Sequence, residues 1–180
     1  GHGGHSSKAD FMPKPMVQLA KLAVALDDMG RARLHDGPVG MSGTCLNIAA
    51  FHGGVAFNVV PQRGRLEWSL RPYPGFERAA WDREVAEKAR AIDAGIAIRP
   101  TIDHAPFSCT ALADEVRPFV QRVGSLDFWT EAALYQQAGI DAIVVGPGDI
   151  GQAHAADEFV SLEDLDWAVE LYRALLTAAT

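Results

Sequence analysis

The apolar run Ile140–Val145 stops at Gly146-Pro147-Gly148, and this arrest constrains the fold more than any other stretch of the chain. A short apolar run closed by turn residues reads as a buried strand, here Asp141–Val145, of an α/β sheet. In such sheets the loops beyond the strand ends carry the binding groups. The loop here delivers one imidazole, His154, followed by the acidic pair Asp157 and Glu158. A neutral imidazole in that position suits a divalent metal. The plainer alternative is a surface His bonded within its own loop. One imidazole does not hold a metal alone, and no other stretch supplies the remaining ligands.

Upstream, the texture is that of a mixed α+β unit. Residues 1–13 read as loop. Met16, Leu19, Ala20, Leu22, Ala23 and Leu26 recur with a helical period, so a helix is expected over Pro15–Met29, entered through Pro13 and Pro15. Gly37-Pro38 and Gly40 break the chain. Strands are expected at about Thr44–His52 and Ala56–Arg71, separated by a Gly53-Gly54 turn, the second interrupted at Pro61-Gln62-Arg63-Gly64. Its later part alternates Leu66, Trp68 and Leu70 with Glu67, Ser69 and Arg71, a half-buried strand. A helix over Arg78–Ile92 buries Ala79, Val85, Ala86 and Ala89 and stops before Gly95. Ile96–Ile102 alternates like another strand. Beyond a boundary near residues 105–110 come helices at about 110–123, before Ala138 and at Leu162–Leu176, the last capped by Ser161 with Glu163 and Asp164 in its first turn. The order helix–strand–strand–helix–strand lacks one leading strand of the ferredoxin-like pattern.

Composition narrows the function classes. The 180 residues are 48% hydrophobic and 22% charged, with a net charge of −7. That balance argues against nucleic acid as a partner. No apolar run reaches the roughly 18–20 residues of a membrane helix, so no membrane partner is expected. Cys45 and Cys109 form no metal spacing and no disulfide framework, which fits a reducing cytoplasm. Gly1-His2-Gly3-Gly4-His5-Ser6-Ser7 reads like a protein interior, and the chain is expected to be the later part of a longer one.

Further candidates each carry a functional and a plain reading. Gly146 and Gly148 offer backbone N–H groups to a carboxylate or oxyanion, or form a simple turn. His5, in a Gly-rich loop, reaches a site or caps the turn. Asn58 sits at the strand break. Arg71 ends a strand before the rigid Pro72-Tyr73-Pro74-Gly75 corner, where its guanidinium forks onto a substrate carboxylate or lies on the surface. Thr130 and Glu131 precede a short helix, and Glu131 is either a ligand-facing acid or a helix N-terminal charge.

Five segments in order make a pattern: Gly4-His5-Ser6-Ser7; Gly53-Gly54 with Asn58-Val59-Val60-Pro61; Leu70-Arg71-Pro72-Tyr73-Pro74-Gly75; Thr130-Glu131-Ala132; and Gly146-Pro147-Gly148 leading to Gln152-Ala153-His154 and Asp157-Glu158. Together they resemble the zinc-dependent amidohydrolase family of acetylornithine deacetylases, succinyl-diaminopimelate desuccinylases, aminoacylases and carboxypeptidase G. The match is strongest to the acetylornithine and acetylcitrulline deacetylase branch.

The resemblance implies an α/β fold in two parts. Residues 1–107 would be a ferredoxin-like lid and dimerisation domain with its first strand missing. Residues 108–180 would be the C-terminal part of the α/β zinc-hydrolase catalytic domain. It implies one or two zinc ions, replaceable by cobalt, with His154 as the late metal ligand. His5 would reach into the partner subunit of a homodimer and polarise the scissile carbonyl. Asn58 and Arg71 would hold the substrate carboxylate or transition state, and Thr130, Glu131, Gly146 and Gly148 would border the pocket of an N-acyl amino acid. The family's His-x-Asp ligands, bridging Asp and Glu-Glu pair have no counterpart here, so the chain alone is expected to be inactive. The alternatives are a non-catalytic dimerisation module and a peptidase or aminoacylase of the family with another N-acyl substrate.

Overall fold

The computed structural model describes residues 3–38, 41, 43–120 and 122–178. Gly1 and His2 of the leading loop, the breaker Gly40, and position 121 in the expected 110–123 helix lie outside the described residues. The chain divides into two compact units, Gly1–Pro106 and Phe107–Thr180.

The first unit opens with structure where the sequence reads as loop. Strand β1 (Gly4–His5) leads into a 3-10 turn over Ser6–Phe11. β1 exists through a distant partner: Gly4 lies opposite Val60 and His5 opposite Val59 of β3 (Val59–Val60), antiparallel. Strands of two residues leave no periodicity to read. Helix α1 (Pro15–Arg31) has Pro15 in its first turn, where no N–H is needed, and buries Leu22, Ala23, Leu26 and Met29 on one stripe.

Strands β2 (Cys45–Gly53) and β4 (Gly64–Arg71) form an antiparallel ladder running from Cys45 opposite Arg71 to Gly53 opposite Gly64. The register slips between Ile48 and Ala50, a bulge at Ala49. At the turn, Gly54 has φ +82°, a left-handed conformation that a side chain would strain. The expected strand Ala56–Arg71 is thus two strands in two separate two-stranded sheets, divided at the interruption read from Pro61 to Gly64. Helix α2 (Arg78–Ile92) follows the Pro-Tyr-Pro-Gly corner.

α1 and α2 pack on one face of the β2–β4 ladder. Leu22, Leu26 and Met29 meet Trp81, Val85 and Ala89, flanked by Leu46, Ile48, Leu66, Trp68 and Leu70. Trp81 replaces Ala79 as the start of the buried α2 stripe, because Trp81, Val85 and Ala89 are spaced four apart whereas Ala79 faces outward. The Trp81 ring lies against Phe76 at 6.0 Å and Trp68 at 6.4 Å, and the Arg33 guanidinium sits 5.4 Å above it.

The expected strand Ile96–Ile102 does not form. No described residue pairs with it, and Pro100 removes one ladder donor. Its far end is instead tied to α2 by Arg78, which donates to Asp82 at 2.8 Å and Asp103 at 2.6 Å.

In the second unit, α3 (Thr110–Val116) passes into a 3-10 turn, Arg117–Phe119, well short of residue 123. Pro118 has no N–H with which to continue the helix. α4 spans Ala132–Gln137 and α5 spans Leu162–Ala178. Ser161 caps α5 as expected: its Oγ accepts the Asp164 N–H at 3.0 Å and donates to Asp164 Oδ2 at 2.7 Å. The expected buried strand Asp141–Val145 is absent. Among the described residues it has no ladder partner, and Val144 is exposed. An apolar run becomes a strand only where neighbouring chain satisfies its backbone groups.

Candidate functional site

The first unit brings His5 and Asn58 together. β1 pairs with β3, and the Ser6 N–H donates to the Asn58 carbonyl at 3.0 Å, so the His5 turn is laced to the segment just before Val59. His5 also caps its own turn: Nδ1 accepts the Ser7 N–H at 3.2 Å and lies 2.9 Å from Ser7 Oγ. Both His5 and Asn58 are exposed, as a group serving an external ligand requires. Further along the turn, Lys14 binds Asp10 at 2.6 Å and holds its carboxyl below the usual carboxylate range, by hydrogen bonding first and charge second.

Arg71 is elsewhere. Asn58 lies in the connection joining β2 and β4 at the Gly53–Gly64 end, whereas Arg71 lies at the opposite end, across from Cys45. Seven residues of strand at about 3.3 Å each separate Gly64 from Arg71 by about 23 Å. The fold therefore does not gather His5, Asn58 and Arg71 around one point within this unit.

In the second unit, Thr130 Oγ1 accepts the Ala132 N–H at 3.2 Å, and the Thr130 and Glu131 carbonyls receive the Ala133 and Leu134 N–H groups. Glu131 occupies the N-cap position of α4 and is exposed. The two residues line an open groove of about 440 Å³ with Tyr135 and the segment Ala142–Val145. Gly146 and Gly148 follow directly. Gly148 has φ +90°, and Tyr172 Oη donates to the Val145 carbonyl at 3.2 Å, pinning the chain before the loop. Asp149 accepts the Gly151 N–H at 2.7 Å and shapes the next turn.

His154 stands out by its backbone. Among the described residues it is the non-glycine residue with a left-handed φ, +63°. Its N–H donates to Glu158 Oε2 at 3.1 Å, a bond that closes the loop on itself. Glu158 thus serves the His154 backbone, which separates the adjacent acids read as Asp157-Glu158 in sequence. The loop also carries Asp149 and Asp157, yet no three His, Cys, Asp or Glu side chains among the described residues converge as a metal site. One exposed imidazole does not fit a zinc ion by itself. No helix of the described residues is long and apolar enough to cross a membrane.

Residues 1–96 match the peptidase dimerisation domain of M20 type. The chain belongs to that family. Relatives of this peptidase dimerisation domain protein extend the likeness beyond residue 96. It is 30% identical to the N-acetyl-L-citrulline deacetylase of Xanthomonas campestris pv. campestris, over 99% of this chain and 52% of that protein. It is 33% identical to the acetylornithine deacetylase of Myxococcus xanthus, over 68% of this chain and 34% of the relative. The acetylornithine deacetylase of Aliivibrio salmonicida is 24% identical over 98% of this chain and 50% of its own length. The chain spans about half the length of the curated relatives that it matches along nearly all of its residues.

Ser7 is marked in the sequence only by its place two residues after the imidazole, the spacing at which a backbone N–H turns back onto a capping side chain.

Proposed function

We propose that this chain is part of a homodimeric, metal-dependent amidohydrolase that removes the acyl group from an N-acyl-L-amino acid such as N-acetylornithine or N-acetylcitrulline. In this reading residues 1–107 are the ferredoxin-like lid and dimerisation domain. Residues 108–180 belong to the α/β catalytic domain. The observation that carries it is the alignment with a deacetylase over 99% of the chain, through both units rather than the dimerisation domain alone. Exposed apolar side chains in the second unit support it. Val116, Ala133, Ala168 and Leu171 are buried there, while Ile140, Phe159, Leu162 and Leu176 are exposed, the pattern of a unit that packs against further chain.

In the proposed enzyme His5 and Asn58 act as one group of hydrogen-bond donors toward the acyl carbonyl and its oxyanion. Arg71 forks onto a carboxylate. The separation between the two ends of the β2–β4 ladder favours a dimer in which one lid serves two sites, His5 and Asn58 at one and Arg71 at the other. The Gly146–Gly148 loop and the Thr130–Glu131 turn border the substrate. A zinc ion, with cobalt as a substitute, would supply Lewis acidity and an activated water, and His154 would be one of its ligands.

The test is metal analysis and deacetylation of N-acetylornithine, N-acetylcitrulline and other N-acyl amino acids by the full-length protein. One or two zinc ions per chain with acetate release is the expected result. A folded dimer without metal or turnover would instead make this a non-catalytic dimerisation module, and activity confined to other acyl groups would make it an aminoacylase or peptidase of the family.

A further inference from the structure

We infer that Ser7 is a positioning residue that fixes which nitrogen of His5 carries its proton. The inference rests on the reading of His5 as the donor to the acyl carbonyl.

A backbone N–H only donates, and the Ser7 N–H is directed at His5 Nδ1 across 3.2 Å. Nδ1 must therefore present its lone pair. With Nδ1 bare, the Ser7 hydroxyl, 2.9 Å from the same nitrogen, is the partner that donates in that pair. A neutral imidazole with a bare Nδ1 carries its proton on Nε2, so the one donor left on the ring belongs to an exposed residue and is available to a ligand. Two further contacts hold this turn in place. Ser6, between His5 and Ser7, donates its N–H to the Asn58 carbonyl, and His5 is paired with Val59. Ser7 thus aims the ring and sets its tautomer, and Ser6 locks the aim to Asn58. An oxyanion partner must donate, and the opposite tautomer would turn a lone pair toward the developing charge. Ser7 prevents that misassignment.

The experiment is a double-mutant cycle in the metal-loaded full-length protein, with nitrogen NMR of His5 in the substrate-free state. Ser7→Ala removes the shorter of the two contacts to Nδ1, at 2.9 Å, and leaves the N–H at 3.2 Å, so the ring is held less firmly and kcat should fall by about 3- to 10-fold with KM unchanged, the size of one net hydrogen bond. Ser7→Thr should restore it. In a His5→Ala background Ser7→Ala should have no further effect, because Ser7 acts through the ring. An equal loss in both backgrounds, or no loss in either, overturns the proposal. So does a wild-type spectrum with the proton on Nδ1. The underlying reading fails separately: if His5→Ala itself leaves turnover intact, His5 is not the carbonyl donor, whatever its tautomer.

Discussion

Gly30→Ala puts two opposed effects in the first unit on one scale. Gly30 is buried near the end of α1. A methyl group there favours the helix by up to about 1 kcal/mol, less so close late to the terminus. It would also sit 2.8 Å from Leu46 Cβ on β2. Carbon atoms rest at about 3.5–4.0 Å, so helix and strand must separate by roughly 1 Å. The atom in the way is a Cβ fixed to the backbone, not the end of a flexible side chain, and overpacking of this kind costs about 1–3 kcal/mol. The clash wins, and Gly30→Ala should destabilise the unit by about 1–2 kcal/mol. Urea unfolding should show a lower midpoint at unchanged slope. The cost should persist in a Leu46→Ala background, since Ala keeps the offending Cβ. A stabilised Gly30→Ala protein, or full rescue by Leu46→Ala, would refute the close approach of α1 to β2.

Trp81→Ala should cost about 3–5 kcal/mol in the same assay, because it removes the ring shared by Phe76, Trp68 and Arg33. Ser161→Ala should lower stability of the second unit by about 1 kcal/mol and fray the start of α5, read by hydrogen exchange at Asp164. Glu158→Ala frees the His154 N–H in a left-handed turn, so the His154 amide should exchange faster, while Glu158→Gln retains an acceptor and slows it again. The Asp10 carboxyl titrates low when folded, so its pairing with Lys14 supports the turn at neutral pH and that support is lost as acid protonates Asp10 below the ordinary carboxylate range. In Lys14→Met, the Asp10 titration followed by NMR should move up toward the ordinary value.

The elements legible in the sequence are those whose causes are local. Arg78–Ile92 stands between a Pro-Tyr-Pro-Gly corner and Gly95, and its observed limits are those read from the pattern. The Leu66, Trp68, Leu70 alternation gives a strand with one half-buried face because period two is a property of the chain alone. Ser161 announces α5 by its hydroxyl. What was not legible depends on partners distant in sequence. β1 and β3 are two residues each and form only through one another. Ile96–Ile102 and Asp141–Val145 have strand-like side chains, yet a ladder is made by a neighbour and not by a pattern. Trp81 is hidden in the pattern because alanines fit both faces of a helix, so counting them does not decide which side is buried. At the site, residue types were readable one by one. Their grouping was not: the bond from Ser6 to Asn58 joins His5 to its neighbour across α1 and β2, and the ladder keeps Arg71 away.

The run at residues 141–145, which has no ladder partner among the described residues, has a consequence for handling the protein. Its peptide groups are main-chain chemistry, common to every polypeptide and indifferent to charge, while its side chains favour extended pairing. In concentrated solution such a run is expected to recruit copies of itself by the same bonds that would seat it in a sheet. Raising or lowering salt would do little to stop that recruitment. A charge introduced at the exposed Val144 would oppose it, since each added copy would then stack like against like.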